Sequence, residues 1–427
     1  MKVEIEIKNP ILRFIIQVEE NDKINPSPKY SLSQRDFSFV LPKDLEFEKI
    51  HADHLALVSL LVCQPFIGEQ ITFPKPVSKS FSEAYSNSRR SKIINIDENL
   101  QPWEPSKNSR PGLAFSGGAD STAALSLLPP DTVPIFLDRT EKNIRTLYDR
   151  EAPRRACEKL SEIGYEVKVI DSDLEYVREP IGFPIDVANA APTILLADHM
   201  ELDTIAFGTI LESTYRIGHK KYLDYPNGSH YKTWGKLFKA AGLPFLQVVA
   251  GVSEVGTSLI NSKSLIGEFS HSCMRGSWKK PCRNCWKCFR KLLLDSAING
   301  TNLSNEELDE LFEIQEAKRY LHEFPIKHEN VLIYITSKYN GDHLLMNMLK
   351  TRVRGDLMDT TWLEKYYPKM FEVIPEKYQK YVKEKLDQYL EEMSPNEQNM
   401  VLNWNMEEML EDELYQERHQ SFKFTTA

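Results

Sequence analysis

The sequence predicts an α/β fold with a doubly wound parallel sheet, and three observations support this prediction. Short apolar runs typical of buried strands lie at residues 113–115, 133–137, 167–170, 204–207 and 245–249. Amphipathic stretches typical of helices separate them, at residues 121–128, 153–163, 190–200 and 232–241. A glycine pair, Gly117 and Gly118, joins the first strand directly to the first helix. Because strands joined by helical crossovers form parallel sheets, we expect ligands beyond the carboxyl ends of these strands.

The chain of 427 residues is long enough for two or three domains, and changes in composition divide it into three regions. Residues 1–100 hold short β-prone runs and one apolar helical run, which predict a small N-terminal β-rich accessory region. Residues 97–112 are polar and rich in proline, as expected of a linker. The α/β domain is predicted over residues 112–300, and a helical C-terminal extension with an acidic end over residues 301–427.

Composition and charge argue against several classes of protein. The formal net charge of -9, with 41% hydrophobic and 27% charged residues, argues against a surface that coats nucleic acid. No apolar run approaches the roughly 20 residues that span a bilayer, and the first residues lack the apolar core of a signal peptide. The sequence therefore predicts a cytoplasmic protein without a membrane partner.

The glycine pair belongs to a longer pattern, Ser116-Gly117-Gly118-Ala119-Asp120-Ser121. Glycines can adopt positive φ, so successive N–H groups can turn inward at a helix N-terminus and bind phosphate. The pattern lacks both the Gly-Lys-Ser/Thr ending of a Walker A loop and the glycine spacing of a dinucleotide fingerprint. It matches the PP-loop of the ATP pyrophosphatases, which predicts ATP binding by Ser116, Gly117, Gly118, Asp120 and Ser121. An ordinary glycine turn is the alternative, and Asp120 either holds Mg²⁺ or caps the helix.

Two further strand ends and one long loop are candidates for the same site. Asp138 follows the second strand, where it either acts in catalysis or begins a turn, and Gly208 follows the fourth strand beside the predicted ATP. Residues 212–234 form a long aromatic and basic segment at the predicted carboxyl edge of the sheet. Arg216 and Lys220 in this segment are predicted to bind an anionic substrate; a solvated basic surface is the alternative.

Four of the six cysteines crowd into a short segment, at Cys273, Cys282, Cys285 and Cys288. Two overlapping Cys-x-x-Cys turns and one earlier cysteine can surround a single ion, which predicts a closed, structural Zn²⁺ site in a knuckle at 273–288. An iron–sulfur cluster is the chemical alternative. Several lysines and arginines share this segment. They either balance the charge of the thiolates or contact RNA, so nucleic-acid binding stays open.

The two motifs together resemble the 7-cyano-7-deazaguanine synthases, the QueC family. The resemblance covers residues 112–300. Within this range it includes the segment that begins at Ser272-Cys273 and ends with Cys-Phe-Arg-Lys at Lys291. It implies the adenine-nucleotide α-hydrolase fold, zinc on the four matching cysteines, and a reaction that uses ATP and ammonia to convert a deazaguanine carboxylate into an amide and then a nitrile. The substrate half departs from the family. Asp138-Arg139-Thr140-Glu141 stands where Asp-Tyr-Gly-Gln is usual, and Tyr225-Pro226-Asn227-Gly228-Ser229 where Tyr-Pro-Asp-Cys-Arg is usual.

These inferences predict an ATP-dependent carbon–nitrogen ligase. It would adenylate a carboxylate, favoured as 7-carboxy-7-deazaguanine, release pyrophosphate, and transfer the acyl group to ammonia or a protein amine. Longer relatives of the family occur in antiviral defence gene clusters, so the C-terminal extension is expected to recruit a protein acceptor or a partner in a defence complex. Two alternatives remain, a PP-loop enzyme that thiolates RNA and a nucleotide-binding partner without turnover.

Overall fold

An eight-stranded mixed sheet lies at the centre of the structure, a computed structural model that describes residues 1–89, 91–142, 148–218 and 221–426. Its strand order is β1-β2-β4-β11-β10-β9-β13-β14. The five strands from β11 to β14 pair in parallel, whereas β4, β2 and β1 continue the sheet in antiparallel fashion. The strands are β1 (Lys2–Lys8), β2 (Ile11–Gln17), β3 (Ser31–Leu32), β4 (Asp36–Val40), β5 (Gln70–Ile71), β6 (Val77–Ser78), β7 (Lys92–Ile93), β8 (Ile96–Asp97), β9 (Arg110–Phe115), β10 (Val133–Arg139), β11 (Lys168–Ser172), β12 (Arg178–Glu179), β13 (Leu202–Ala206) and β14 (Phe245–Leu246).

Helices connect the parallel strands and form most of the chain after β14. The α-helices are α1 (Ala52–Cys63), α2 (Lys79–Ser86), α3 (Ala119–Leu127), α4 (Glu151–Glu162), α5 (Ala191–Leu195), α6 (Leu211–Thr214), α7 (Lys236–Ala240), α8 (Glu254–Lys263), α9 (Trp286–Ile298), α10 (Asn305–Phe312), α11 (Gln315–Leu321), α12 (Glu329–Lys338), α13 (Leu344–Arg352), α14 (Glu376–Tyr389), α15 (Pro395–Leu402), α16 (Met406–Glu411) and α17 (Glu413–Thr426). Of these described helices, none is both long enough and apolar enough to cross a bilayer.

Two hydrophobic cores cover the two faces of the sheet. Successive residues of β9 point to opposite faces, so Leu113 and Phe115 pack in one core and Ala114 in the other. Helices α3, α4, α8 and α9 contribute to the first core, and α1, α5 and α7 to the second. Strands β9 and β10 are buried almost throughout, as expected of parallel strands with both faces covered. The mixed α/β class predicted from the sequence is confirmed.

The predicted strands all form, although the run at 245–249 yields only the two-residue strand β14. The predicted helix at 190–200 is shorter, as α5, and the one at 232–241 begins as a π-helical turn before α7. Pro192 lies in the first turn of α5, where a missing N–H is tolerated, and the π-helical turn at Tyr231–Gly235 replaces regular α-helical hydrogen bonding before α7.

The regions on either side of the predicted α/β domain are joined to it closely. Strands β1, β2 and β4 extend the sheet beyond β11, so the predicted boundary near residue 100 lies within one continuous sheet. Helix α12, which was not predicted, is buried over most of its length in the same core as α3 and α9. In addition, Tyr378 on α14 donates a hydrogen bond of 2.7 Å to Asp203 of β13, and Lys377 pairs with the same carboxylate.

Candidate functional site

The glycine loop forms an uncapped helix N-terminus at the carboxyl end of β9. Gly117 has φ of 70°, and Gly118 is the N-cap of α3 and has no side chain to accept from the first turn. Among the described residues, no group accepts from the N–H groups of Ala119, Asp120 and Ser121. The Ser116 and Ser121 hydroxyls lie 2.9 Å apart beside these donors. A helix N-terminus with unpaired N–H groups and two adjacent hydroxyls can bind an anion.

Close backbone contacts hold this loop in place. A Cβ atom at Gly208, just beyond β13, would lie 2.6 Å from the Ser121 nitrogen, and one at Gly117 would lie 2.9 Å from Pro153 of α4. Neither position tolerates a side chain without displacing backbone, because contacts this short lie well inside van der Waals separation. The structure therefore brings Gly208 against the predicted phosphate loop.

Asp120 faces helix α8. Its Oδ1 accepts a hydrogen bond of 2.9 Å from the Thr257 hydroxyl, and Asn261 donates to the neighbouring Ala119 carbonyl at 2.8 Å. Asp120 lies in the first turn of α3, after the N-cap Gly118, so its side chain does not cap the helix. Its carboxylate is half-buried and remains the predicted Mg²⁺ ligand.

Asp138 lies within β10 and is fully buried. Its Oδ2 accepts from Arg150 Nη2 at 2.7 Å and lies 2.5 Å from Arg154 Nη2, so two guanidinium groups neutralise it. Both arginines flank Pro153, the residue that packs against Gly117. Asp138 thus positions the start of α4 beside the loop. It does not begin a turn, and its predicted catalytic role remains a prediction.

The long segment at 212–234 packs its aromatic residues internally. The rings of Tyr215 and Tyr222 are stacked with centroids 6.0 Å apart, and Tyr215 also contacts Tyr367 of the C-terminal region at 5.1 Å. Arg216 is exposed, with φ of 60°, and lies outside the cavity described next. Lys220 lies outside the described residues. Arg216 is therefore not placed together with the loop.

A cavity of about 370 Å³ opens beside the loop, where the strand order reverses between β9 and β13. Ligands of open α/β sheets bind at such switch points. Asp120 and Gly208 line the cavity together with residues of the cysteine segment, α8, α9 and the C-terminal region, which include Glu254, Trp286, Arg290, Glu316, Tyr320, Lys327 and His328. The C-terminal region thus supplies part of the wall.

A buried group of charges forms part of the wall of this cavity. Arg290 Nη2 donates to both Glu254 carboxylate oxygens at 2.8 and 2.9 Å, and Lys291 Nζ lies 3.2 Å from Glu254. Burial opposes ionisation of Glu254, but the two cations hold the pKa of this carboxyl well below its ordinary value. Burial likewise opposes the charge on Lys291, yet Glu254 and then Asp120 raise its pKa. The sequence does not predict this group; its one local signal is the Arg290-Lys291 pair after the last cysteine.

Glu212 is a second buried carboxyl in the same region. It accepts from the Glu254 backbone N–H at 3.1 Å and from Asn330 Nδ2 at 2.9 Å. Burial, followed by repulsion from Glu254, raises the pKa of Glu212 from 4.5 to about 7. In the folded protein this carboxyl therefore retains its proton to a higher pH than an exposed glutamate does.

We expect Glu212→Gln to change the pH dependence of stability. A raised folded-state pKa means that the folded protein retains a proton that the unfolded chain loses, so stability declines as the pH rises from 4.5 to about 7. The glutamine variant should lack this decline, so above pH 8 its free energy of unfolding should exceed that of the parent by about 3 kcal/mol. Urea unfolding at pH 5 and pH 8.5 measures both proteins. Parallel stability curves over this range would contradict the assignment.

The four predicted cysteine ligands come together. All four sulfur atoms lie within 4.8 Å of one another, and Cys282 Sγ is 3.8 Å from Cys288 Sγ. A zinc ion with Zn–S bonds of about 2.3 Å separates its sulfurs by about 3.8 Å, so the cluster fits a tetrahedral ion. Backbone N–H groups of Cys282 and Cys288 lie 3.4 Å from Cys273 Sγ and Cys285 Sγ. The cluster can hold a metal such as zinc. Its four sulfurs would then occupy all four coordination positions of the ion and leave none for a substrate.

Several basic residues of the knuckle are paired with carboxylates. Arg275 donates to Glu316 at 2.8 Å, and Lys279 lies 3.4 Å from Glu268. Such pairs reduce the positive charge that the segment presents. Contact with nucleic acid remains untested.

The fold and the site define a mixed α/β protein with a four-cysteine cluster beside a glycine loop. A family model described as a family of unknown function (DUF6395) matches residues 233–405, fewer than half of the 427 residues. The matched segment contains all four cysteines and crosses the predicted boundary at residue 300, in agreement with the packing of α9 against the C-terminal helices. No curated protein and no solved structure matches the chain.

Proposed function

We propose that the protein is an ATP-dependent ligase that adenylates a carboxylate and transfers it to a nitrogen nucleophile. One observation carries this proposal. The uncapped first turn of α3 offers three unpaired N–H groups beside the Ser116–Ser121 hydroxyl pair, and it opens at the switch point of the sheet. That arrangement suits the terminal phosphates of ATP.

The proposed chemistry follows from what these groups can stabilise. A carboxylate oxygen attacks the α-phosphorus, the bond between this phosphorus and the bridging oxygen breaks, and the electron pair leaves with pyrophosphate. The N–H groups of α3 and the two hydroxyls stabilise the charge that develops on this leaving group. Asp120 would hold Mg²⁺, which supplies further charge neutralisation. The amine then attacks the acyl carbon and displaces AMP.

The two cysteines outside the cluster are unsuited to RNA thiolation. Thiolation of this type needs a reactive or iron-bound cysteine. Four of the six cysteines gather in the cluster, and the other two, Cys63 and Cys157, are buried. Burial raises the pKa of both thiols, which keeps them protonated and unreactive. A nucleotide-binding partner without turnover is the remaining alternative.

The identities of the substrates rest on the resemblance to the QueC family. The favoured carboxylate is 7-carboxy-7-deazaguanine, and the acceptor is ammonia or a protein amine. Zinc in the cysteine cluster has a structural role in this proposal. The C-terminal helices would serve both as a wall of the site and as the surface that recruits a protein acceptor or a partner in antiviral defence.

Incubation with ATP labelled at the α-phosphate tests the reaction. Wild-type protein with 7-carboxy-7-deazaguanine and ammonia should release AMP and pyrophosphate, and release should require the carboxylate. Ser116→Ala removes one hydroxyl that faces the proposed leaving group, so it should lower the rate about tenfold or more. Ser161→Ala on α4, whose hydroxyl donates to the Cys157 carbonyl, is the matched control and should retain the parental rate.

Three outcomes separate the alternatives. Release of ADP and phosphate would show that the loop binds a γ-phosphate for ordinary hydrolysis. ATP binding without any AMP would support the partner without turnover. Equal rates of AMP release for the Ser116 and Ser161 variants would show that the loop does not take part in the reaction.

A further inference from the structure

The turn before α12 carries two residues of the cavity wall, Lys327 and His328. We propose that the C-terminal helix α17 holds this turn in place through the positioning residues Tyr415 and His419, so that Lys327 faces an anion bound in the cavity. The inference rests on the proposed function for the source of this anion, a phosphate group of ATP or of its product. The contacts that hold the turn are independent of that function.

The turn has a backbone conformation that its neighbours must enforce. His328 has φ of 62°, in the left-handed region that residues other than glycine seldom adopt. Such a conformation persists only where the surrounding structure holds it, and it is often found at functional sites. Glu329 supplies the nearest constraint, because its Oε2 accepts from the Ile326 N–H at 2.7 Å and so closes the turn. Lys327 and His328 lie between these two residues.

Glu329 is itself held by α17 and α13. It is fully buried, and its Oε1 accepts a hydrogen bond from the Tyr415 hydroxyl of α17. Arg352 Nη1 of α13 lies 3.7 Å from the same oxygen. Burial raises the pKa of Glu329, and Arg352 followed by Tyr415 opposes this rise. A buried carboxyl group of this kind depends on its partners, so the position of α17 affects the position of the turn.

His419 completes the contact between α17 and α13. Its Nδ1 accepts from Arg352 Nε at 2.9 Å. Burial, followed by Arg352, lowers the pKa of His419 to about 4, so the ring is neutral at pH 7 and can accept this hydrogen bond. Arg352 is fully buried and donates to the Glu323 carbonyl at 3.4 Å as well.

The same helix contacts the chain on the other side of the turn. The rings of Phe324 and Tyr415 have centroids 5.0 Å apart, and those of Phe324 and His419 are 4.7 Å apart. Helix α17 therefore packs against a residue before the turn and binds a residue after it. Movement of α17 would expose buried polar groups at one end of the turn and remove ring contacts at the other.

Lys327 is suited to meet an anion. Its Nζ lies over the Tyr320 ring, 5.5 Å from the centroid, and no carboxylate lies within 4.0 Å of it among the described residues. The two arginines of the cavity lining already pair with carboxylates. Because an ammonium group is a compact charge with three donors, Lys327 can neutralise a phosphate oxygen at this wall.

Hydrogen exchange in the full-length, metal-loaded protein tests the contacts of the turn. Tyr415→Phe removes the hydroxyl and keeps the ring on Phe324, so the protected amides within residues 326–332 should exchange about tenfold faster. Tyr378→Phe is the matched control, because its hydroxyl also donates to a buried carboxylate, that of Asp203, at 2.7 Å but away from the cavity. This control should lose comparable stability and keep the parental exchange over residues 326–332.

Calorimetric titration with inorganic pyrophosphate and Mg²⁺ tests the site without turnover. Lys327 is exposed, so Lys327→Gln should fold normally, and it should bind this probe about tenfold more weakly. Lys327→Arg keeps the charge and should bind within about threefold of the parent. Lys338→Gln is the control, because Lys338 also lies over a tyrosine ring, 5.3 Å from the Tyr334 centroid, but outside this cavity. Tyr415→Phe should weaken binding of the probe, and Tyr378→Phe should not.

The outcomes distinguish this inference from the proposed function. Parental exchange over residues 326–332 in Tyr415→Phe, equal changes in Tyr378→Phe, or parental affinity in Lys327→Gln would overturn the inference and leave AMP release by the phosphate loop intact. A parent that binds no pyrophosphate would also overturn it. Selective effects of the Tyr415 and Lys327 substitutions, with no AMP released from ATP by the parent, would support the inference and overturn the ligase.

Discussion

The double variant Cys282→Ser, Cys285→Ser is expected to lose its metal and much of its stability. These residues supply two of four sulfurs that lie within 4.8 Å of one another, and two remaining thiolates cannot enclose an ion. Structural zinc contributes about 10–16 kcal/mol of apparent binding energy in zinc-finger peptides. This protein has a large core besides, so we expect a loss of about 5 kcal/mol or more and, for a chain of 427 residues, a fall in Tm of about 5 °C or more.

Metal analysis and thermal unfolding measure this effect. The parent should hold about one zinc per chain, and the double variant almost none. The control is Cys63→Ala, Cys157→Ala, which removes two buried thiols outside the cluster. It should keep its zinc and lose stability only through the small cavities that it creates. Full zinc content in the Cys282, Cys285 variant would show that the four cysteines are not the metal site. Iron together with sulfide in the parent protein would identify an iron–sulfur cluster in place of zinc.

Glu254→Gln is expected to destabilise the fold by about 3–5 kcal/mol. Glu254 is 4% exposed and is the carboxylate partner of both Arg290 and Lys291, which are also buried. A glutamine of the same shape leaves two cations in a low-dielectric region without a compensating charge. Because the pKa of Glu254 is lowered on folding, the contribution of its charge is present above the ordinary carboxyl range and is lost as the pH falls.

Glu158→Gln provides the matched comparison. It removes the same charge from an ion pair with Arg155 in which the nitrogen and oxygen atoms lie 2.7 Å apart. This pair lies in solvent, because the Glu158 side chain is 55% exposed and the Arg155 side chain 54%. Urea unfolding at pH 7 should show a change below about 1 kcal/mol for this variant. Similar losses for the two variants would mean that Glu254 is not a buried charge in solution. The difference between them should shrink in acid, where Glu254 no longer contributes a charge.

Local patterns in the sequence predicted the parts of the site that depend on neighbouring residues. The glycine pair predicted a sharp turn at a helix N-terminus, and Gly117 indeed has positive φ. The spacing of Cys282, Cys285 and Cys288 brings three sulfurs together within a single turn, and Cys273 completes the set. Alternating apolar and amphipathic runs predicted the mixed α/β class. These features follow from backbone geometry over a few residues, so they need no knowledge of distant contacts.

Distant contacts decided the rest. Glu212, Glu254, Arg290 and Asn330 come from separate helices, and no spacing in the chain shows that they share one buried region. The short β-prone runs at the N-terminus predict an accessory region because such runs are local, whereas the pairing of β4 with β11 is a matter of tertiary structure. Likewise, the spacing of apolar residues after residue 300 predicts surface helices packed on the core or on a partner, and only the structure shows that α12 is buried in the main core.

By itself, the sequence determined the mixed α/β class, the turn of the glycine loop and the four-cysteine cluster. The tertiary structure alone decided that Gly208 packs on this loop, that Asp138 is neutralised by two arginines, and that Trp286 and Tyr320 line a cavity at the switch point. The physical reason is the range of the forces involved. Turn geometry and ligand spacing act along the chain, whereas burial and ion pairing depend on which distant segments exclude water together.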